Sequence, residues 1–273
     1  MARDALTRQR DPMTASPPGG EAVVVREQPL NDAAPIFVHP TWGQKFPWLF
    51  QGTTGRGSAD EPFDLSFFGN SPSGAVWTRW RAVRNATAFT NVAHARQVHG
   101  ARVIRHDTAP RGVLVADSAD GHVTSAPDLL LAVSVADCVP VSIVHPNTKS
   151  IALLHAGWRS IAAGILERGI EAMRLQSGRV VPELYCHLGP AICGNCYEVG
   201  PEVHEALRQP PQSRNTPIDL RAVLVRMLRG FNIPANQISV SGWCTKCDSD
   251  RFFSHRGGAP ERQMALLGVR ARS

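Results

Sequence analysis

Three apolar segments in the middle of the chain place the strongest constraint on its fold. Residues 129–135 form an almost continuous apolar run, and residues 141–144 and 151–154 repeat the pattern. Short apolar runs of this length are typical of strands. Pro146, Asn147 and Thr148 indicate a turn between the second and third segments. The sequence therefore predicts a strand hairpin over 141–154, which is entered from the strand 129–135.

Good transition-metal ligands stand beside these strands. Cys138 follows the first strand, His155 follows the third, and His99 is the second residue of the alternating segment 98–105. Two imidazoles and one thiolate would hold a tetrahedral zinc ion with one open position, which is typical of a catalytic rather than a structural site. A water molecule in that position would have its pKa lowered toward neutrality. His99 and Cys138 are far apart in sequence, however, so spacing alone leaves a structural role open for each residue.

A helix is predicted directly after His155. Residues 157–175 carry apolar side chains at helical spacing, which would form one buried face. These side chains are Ile161, Ile165, Leu166, Ile170 and Met173. Gly157 permits a tight turn between the strand and this helix. The free N–H groups of the helix start would then face an anion or a developing negative charge, unless the turn is an ordinary packed junction.

Strands and helices are mixed irregularly along the chain, which favours an α+β fold in which packed β-sheets are flanked by helices. Residues 1–35 begin with a polar stretch that contains Pro and Gly and has no apolar core of a signal peptide. We expect residues 1–35 to be a disordered extension and residues 36–273 to form a single domain. No apolar run reaches about 18 residues, so no transmembrane helix is predicted.

The charge and the cysteine content limit the partners and the location. The net charge is +6 with a pI near 9.3, but the 29 Lys and Arg residues form no long run. We therefore expect no nucleic-acid or membrane partner, because specific nucleic-acid binding needs a clustered basic face. Binding of phosphate needs only one or two placed arginines. Without a signal peptide, the six cysteines are expected to be reduced and the protein cytoplasmic.

Two cysteine pairs imitate a four-cysteine zinc site. They are Cys193-x2-Cys196 and Cys244-x2-Cys247, and 47 residues separate them. This separation exceeds the usual spacing of zinc ribbons. We therefore expect the two pairs not to form a zinc site together.

Several short motifs, taken in order, resemble those of a known family. The motifs are QVHG at 97–100, ADCVP at 136–140, HAGWR at 155–159, GPAIC-x2-CYEVG at 189–200, CT at 244–245 and FFSHR at 252–256. They resemble the multicopper polyphenol oxidase (laccase-like) family, which is also called the laccase-domain purine nucleoside phosphorylase family. The similarity covers roughly residues 45–270. It implies that residues 36–273 form one laccase-like domain with helices outside a pair of packed sheets, in αββα-like layers.

The resemblance also implies a metal site and an activity. His99, Cys138 and His155 occupy the positions of the family's metal ligands, with zinc expected and copper possible because thiolate is a soft ligand. The implied activity is phosphorolysis of adenosine, inosine and methylthioadenosine, with adenosine deamination as a second activity. Purine nucleoside and phosphate are then the partners. Copper oxidase chemistry is disfavoured, because ten histidines include no His-x-His pair.

Further residues of the motifs are candidates for catalysis and substrate binding. We expect Asp137, Arg159 and Cys138 to be catalytic. Asp137 would act as a general base or accept a hydrogen bond from a ligand histidine, unless it is a structural carboxylate. Arg159 would bind phosphate or a carboxylate, unless it is solvated. Gln97 and Arg256 are the candidate substrate-binding residues.

Three positions depart from the family pattern. Ser160 replaces the glycine that usually follows HAGWR, and Gly257 replaces the second of two arginines. An early Thr-Arg-x-Gly-Gly element is degraded, and Arg56 is the candidate to replace its arginine. These changes leave the three metal ligands intact and concern substrate recognition.

Two other functions fit the same residues. In a cysteine hydrolase, or an amidase that edits peptidoglycan precursors, Cys138 would be the nucleophile, His155 or His99 its base, and helix N–H groups the oxyanion donors. The metal content discriminates this function, which needs a free thiolate. A non-catalytic metal-binding scaffold is the third hypothesis, and the missing arginine at position 257 is its only support.

Overall fold

The computed structural model describes residues 22–31, 33–58, 60–178 and 181–271. Within them lie sixteen strands: β1 (Val23–Val25), β2 (Gln28–Asn31), β3 (Ala34–Val38), β4 (Leu49–Thr54), β5 (Asn91–Ala95), β6 (Val103–His106), β7 (Val113–Ala116), β8 (Gly121–Thr124), β9 (Leu129–Val135), β10 (Val139–His145), β11 (Ser150–Ala156), β12 (Tyr185–Leu188), β13 (Glu198–Val199), β14 (Thr216–Pro217), β15 (Ile238–Ser241) and β16 (Gln263–Val269). The same residues form six α-helices: α1 (Trp42–Lys45), α2 (Ser73–Thr87), α3 (Trp158–Ala162), α4 (Ile165–Ser177), α5 (Pro201–Ala206) and α6 (Leu220–Gly230).

The strands form two large sheets and one small one. The first sheet has the order β1-β15-β12-β10-β11-β8-β6, and the second has the order β2-β3-β4-β16-β9-β5-β7. Strands β13 and β14 pair separately. The predicted hairpin is confirmed, because β10 and β11 pair antiparallel from Val139↔Ala156 to His145↔Ser150.

The two large sheets pack face to face, and strand periodicity explains how. Along β9, Leu129, Leu131 and Val133 join a cluster with side chains of β11 and β16, whereas Leu130 and Ala132 join a cluster with α2. Since successive side chains of a strand point to opposite faces, β9 is buried on both sides. This double burial is the reason that its sequence is apolar at nearly every position.

The outer face of the first sheet is covered by helices. Helix α4 packs on β11 and β8, and α6 packs near β15. Their apolar side chains share one core with the outward-facing residues of β10 and β11. The molecule therefore has the layers helix, sheet, sheet, helix, and the expected α+β class with packed sheets flanked by helices is confirmed. No helix in the described part of the chain combines the length and the apolar character needed to cross a bilayer.

The expected disordered extension over residues 1–35 needs a correction. Strands β1 and β2 lie within it, and β1 pairs in parallel with β15 at the edge of the first sheet. Glu27, between them, is buried and accepts a hydrogen bond from Ser241. Residues 22–31 and 33–35 therefore belong to the folded domain, and the expectation for residues 1–21 lies outside the described residues.

The predicted helix over 157–175 consists of two helices. Gly164 has φ of +87°, a left-handed conformation that ends α3 and starts α4. The five apolar residues named for this segment are all buried, so its predicted inner face is confirmed. Helix α3 has only five residues, and its N-terminus provides a weaker dipole than the long helix would have provided.

Candidate metal centre and its cavity

His99, Cys138 and His155 come together although they are distant in sequence. Their candidate ligand atoms all lie within 4.8 Å of one another. The Sγ atom of Cys138 is 4.0 Å from Nε2 of His99. Tetrahedral zinc holds sulfur and nitrogen ligands roughly 3.3–3.6 Å apart, so small side-chain rotations would complete the geometry.

The strands set the positions of these ligands. His155 lies in β11 opposite Pro140 of β10, and Cys138 stands immediately before β10, at the same end of the hairpin. His99 lies in the loop that follows β5, with φ of 58°. Non-glycine residues adopt this left-handed conformation infrequently, and such conformations are concentrated at functional sites.

A buried carboxylate that the sequence analysis missed holds two of the ligands in place. Asp120, which is 0% exposed, accepts a hydrogen bond of 2.9 Å from Nδ1 of His155. Its two oxygens also accept the backbone N–H groups of Val98, His99 and Gly100 at 2.8–3.2 Å. Because Nδ1 of His155 is engaged, Nε2 is the nitrogen left for a metal. No motif marks Asp120, since these partners are 20 to 35 residues away.

The electrostatics of the ligands favour a thiolate. Burial by itself raises the pKa of the Cys138 thiol, but the charges and hydrogen bonds of His155 and His99 outweigh it and lower the pKa to about 6. Burial also lowers the pKa of His155, but Cys138 and Asp120 raise it overall to about 9. Without a metal, the pair is therefore an imidazolium beside a thiolate at neutral pH.

Gly157 leaves space for the ligands. A Cβ atom at this position would lie 2.8 Å from Sγ of Cys138 and 3.1 Å from Cδ2 of His99. Any larger residue would push two of the three ligands aside. The donor set, the oriented His155 and this space together fit a bound zinc or copper ion.

A cavity of about 620 Å³ opens beside the three ligands. This volume is within the range of small-molecule sites, roughly 300–1,000 Å³. Four arginines line the cavity, namely Arg96, Arg159, Arg256 and Arg262. Among its lining residues, Asp137 is the single carboxylate. The cavity is therefore positively charged and suited to an anionic group.

Asp137 lies beside the ligand cysteine but does not orient a ligand histidine. Its carboxylate accepts hydrogen bonds of 2.6 Å from Oγ1 of Thr245 and of 2.6 Å from the backbone N–H of Arg256. Asp137 itself has φ of 87°. In the structure, Asp120 makes the histidine contact that we considered for Asp137, and Asp137 ties two loops to the cavity wall.

The other predicted site residues line the same cavity. Arg159 is exposed, with its guanidinium 4.3 Å from the centre of the Trp158 ring. Arg256 donates to the carbonyl oxygen of Glu198 at 2.8 Å and lies 5.0 Å from the centre of the Tyr197 ring. Gln97 exchanges two hydrogen bonds, of 2.8 and 2.7 Å, with the backbone of Ser134. The amide of Gln97 therefore fixes the end of β9 while it lines the cavity.

The positions that depart from the family pattern have different outcomes. Arg56 donates to the carbonyl oxygen of Ser249 and lies over the Phe253 ring. It is not among the described residues that line the cavity, so it does not bring the arginine of the degraded early element into the cavity. Arg96 and Arg262 do line the cavity, and they provide positive charge there in spite of Gly257.

The two cysteine pairs also come together. Candidate ligand atoms of Cys193, Cys196, Cys244 and Cys247 lie within 4.8 Å of one another. None of the six cysteines forms a disulfide in the structure. We expected no joint site because 47 residues separate the two pairs. The fold nevertheless brings the two loops into contact, so this separation does not keep the cysteines apart.

Comparisons with known proteins agree with this architecture. Residues 53–270 match the family model described as multi-copper polyphenol oxidoreductase laccase. A purine nucleoside phosphorylase of Xylella fastidiosa is 34% identical over 234 residues, which cover 78% of this chain and 88% of the relative. The adenosine deaminase RL5, from an unknown prokaryotic organism, is 33% identical over 178 residues, covering 59% of this chain and 68% of the relative.

The fold has been seen before in a solved structure. The crystal structure of YlmD from Geobacillus stearothermophilus superimposes with a TM-score of 0.76 at 26% sequence identity. The match covers 89% of this chain and 98% of that one.

Proposed function

The chain belongs to the multi-copper polyphenol oxidoreductase laccase family, and we propose that it is a metal-dependent purine nucleoside enzyme. Its proposed reactions are phosphorolysis of adenosine, inosine and methylthioadenosine, with deamination of adenosine as a second activity. We place this activity in the cytoplasm, with zinc as the first candidate metal and copper as the second. The observation that carries the proposal is the three-ligand set beside a cavity that four arginines line.

The cavity has groups for each part of the substrates. Phosphate is recognised by arginines through charge-assisted and often bidentate hydrogen bonds, and Arg159 and Arg256 are the proposed phosphate ligands. Phe68, Trp158 and Tyr197 also line the cavity. Phe68 is 54% exposed, so its ring is available to stack on a purine base. A metal held by His99, Cys138 and His155 would supply Lewis acidity and make water more acidic.

The surrounding residues would keep this site in working order. Asp120 fixes the orientation of His155, and Gly157 keeps Cys138 and His99 unobstructed. Asp137 holds the backbone of Arg256 against the cavity. A role of Asp137 as a general base would use a remaining lone pair, because Thr245 and Arg256 each occupy one of its oxygens.

A cysteine hydrolase remains the second candidate, and one observation favours it. The lowered pKa of Cys138, about 6, beside the raised pKa of His155, about 9, is the pairing that activates a nucleophilic thiolate. The same pairing suits a metal ligand, and metal content separates the two functions. Stoichiometric metal that depends on Cys138 leaves no free nucleophile.

The test is incubation of the purified protein with adenosine, with and without phosphate, followed by identification of the products. Adenine that forms only with phosphate supports phosphorolysis, and inosine that forms without phosphate supports deamination. The absence of both products from metal-loaded protein, with inosine and methylthioadenosine also unchanged, contradicts the proposal.

A further inference from the structure

The topology brings the four cysteines of the two Cys-x2-Cys pairs to one edge of the first sheet. Strands β12 and β15 are parallel neighbours, so their carboxyl ends lie side by side. The first pair follows β12, and the second pair follows β15. A further parallel bridge between Ala191 and Cys244 continues this alignment past the strand ends.

The sulfur atoms of these residues lie close enough together to share one metal ion. All four lie within 4.8 Å of one another, and those of Cys196 and Cys247 are 3.4 Å apart. Four thiolates around zinc stand about 3.8 Å apart, given zinc–sulfur bonds of about 2.3 Å. Each pair has the two-residue spacing that is common among zinc ligands.

The backbone around Cys244 is already arranged for a metal-bound sulfur. Its Sγ atom accepts hydrogen bonds from the backbone N–H of Cys193 at 3.2 Å and of Cys247 at 3.4 Å. Asp248 accepts the N–H of Cys244 at 2.9 Å and so fixes the loop that carries it. Hydrogen bonds of this kind orient metal ligands and stabilise their charge. They link the two pairs directly, since Cys193 and Cys244 come from different loops.

We infer that Cys193, Cys196, Cys244 and Cys247 bind a second metal ion, a zinc ion with four thiolate ligands. Four protein ligands leave no open position, so this site is structural and does not take part in the reaction. Thiolates select zinc over harder cations such as magnesium. The zinc would fasten the loop after β12 to the loop after β15.

These two loops also contact residues that line the cavity beside the three-ligand site. Thr245, next to Cys244, donates to the carboxylate of Asp137. Tyr197 and Glu198, which follow Cys196, contact the guanidinium of Arg256. The zinc would therefore position Arg256 from both sides. This positioning role rests on the proposed function, whereas the presence of the zinc does not.

Metal analysis of the full-length protein, purified under reducing conditions, tests the inference. We expect two zinc equivalents per chain in the wild type, one in Cys138→Ser, and one in the double variant Cys196→Ser/Cys247→Ser. Cys186→Ala is the matched control, because Cys186 is a buried free thiol in β12 outside both clusters. It should retain two equivalents. One equivalent in the wild type that the double variant retains would overturn the second site.

Substitution with cobalt(II) gives a readout that depends on the number of thiolates. Thiolate-to-cobalt charge-transfer absorption should be retained for the most part in Cys138→Ser and largely lost in the double variant, in a ratio of about four to one. Absorption that is mostly lost in Cys138→Ser and retained in the double variant would overturn the inference. Disulfides between the two pairs that persist in wild-type protein purified under reducing conditions would also overturn it. A single zinc lost in Cys138→Ser would leave the proposed function standing. Two zinc ions per chain without nucleoside turnover would support the second metal site and contradict the proposed function.

Discussion

The chain gathers cysteine and histidine ligands at two places, and these differ in what surrounds them. The three-ligand site of His99, Cys138 and His155 faces a cavity of about 620 Å³ and is braced from behind by the buried Asp120. The four-cysteine cluster offers four thiol ligands, enough for a closed tetrahedral site, and lies between two loops. An incomplete ligand set beside a cavity allows exchange of the fourth ligand, whereas a complete set only fastens structure.

The difference also extends to the neighbouring charges. Four arginines line the cavity beside the three-ligand site. Near the cysteine cluster, backbone N–H groups and the carboxylate of Asp248 contact Cys244, and Lys246 is the one cation within the two Cys-x2-Cys segments. The positive charge therefore makes the first site the one suited to the proposed chemistry on an anionic substrate. The second site would influence that chemistry only through the loops that it holds.

The largest expected effect comes from removing thiolate ligands, one at the three-ligand site and two at the cysteine cluster. Cys138→Ser should lower nucleoside turnover more than about a hundredfold, since even indirect contacts to a metal contribute ten- to a hundredfold. Its melting temperature should change little. Cys196→Ser/Cys247→Ser should lower the melting temperature and retain turnover to within about tenfold. Turnover assays and thermal melts of both variants check this, and equal loss of activity in the two would remove the distinction.

The pH dependence of metal affinity should also separate the two sites. Because the pKa of Cys138 is about 6 and that of His155 about 9, metal binding to the three-ligand site between these values expels one proton, from His155. Its affinity should fall about tenfold for each unit by which the pH decreases, and more steeply below pH 6.

The cysteine cluster should respond more strongly. A hydrogen bond with Cys244 and burial raise the pKa of Cys193, and burial and a hydrogen bond with Cys196 raise the pKa of Cys247 to about 12, whereas the hydrogen bond with Cys193 lowers the pKa of Cys244 to about 4. Metal binding near pH 7 therefore expels at least two protons. The affinity of the cluster for metal should then fall about a hundredfold for each unit by which the pH decreases. Competition with a chelator at several pH values, with variants that keep one site each, measures both slopes. Equal slopes would contradict this assignment.

The sequence predicts one of these regions much better than the other. Strands β9, β10 and β11 are buried on both faces, so their apolar runs are visible without the fold, and they deliver Cys138 and His155. The motifs then identify His99. The long separation along the chain led us to expect no joint site of the two cysteine pairs. Sequence separation does not show that two loops follow neighbouring parallel strands and therefore meet.

Other features depend on contacts that no local pattern encodes. Asp120 serves residues 98–100 and 155, and an isolated aspartate before a strand has no distinguishing spacing. Among the described residues, the edge strand β1 pairs with β15 alone, and Val23 and Val24 are about half exposed, at 49% and 51%. This run of three valines is too short to stand out from the polar stretch that precedes it, and it was therefore grouped with that stretch. The interruption of the helix at Gly164 follows from one left-handed residue inside an otherwise helical pattern.

Asp120→Asn tests whether the buried carboxylate supports metal binding at the three-ligand site alone. The amide keeps the size of the side chain but loses the negative charge and one acceptor oxygen. In the wild type, one carboxylate oxygen of Asp120 accepts the N–H groups of residues 98 and 100. We expect metal affinity at the three-ligand site to fall ten- to a hundredfold. Affinity at the cysteine cluster should not change. Chelator competition measures both, and a parallel loss at the two sites would indicate general unfolding instead.

Arg256→Ala tests the residue that lies between the two regions. Loss of a hydrogen bond to a charged group costs about 1.5–3 kcal/mol, which corresponds to roughly ten- to a hundredfold in affinity. The Michaelis constant for phosphate should therefore rise by this factor, while metal content stays constant. Arg159→Ala is the companion variant. Unchanged phosphorolysis kinetics in both variants would mean that the phosphate site lies elsewhere.

Gly157→Ala is the smallest change that should distinguish the two sites. The backbone of Gly157, with φ of −79° and ψ of 166°, is allowed for alanine, so the substitution adds no backbone strain. The new Cβ would approach Sγ of Cys138 to 2.8 Å and Cδ2 of His99 to 3.1 Å, and both ligands must shift by a fraction of an ångström. Because a misplacement of about 1 Å can cost a hundredfold in rate, we expect about a tenfold loss of turnover.

Gly43→Ala is the matched control, since a Cβ there meets no atom within 4 Å. It should leave turnover and both zinc ions unchanged. In Gly157→Ala, zinc should be lost from the three-ligand site at lower chelator concentration than in the wild type, and the cysteine cluster should keep its zinc. If Gly157→Ala instead binds metal and turns over nucleoside like the control, the three ligands do not need the space beside Gly157. The metal would then lie on the cavity side of Cys138 and His99, away from this glycine.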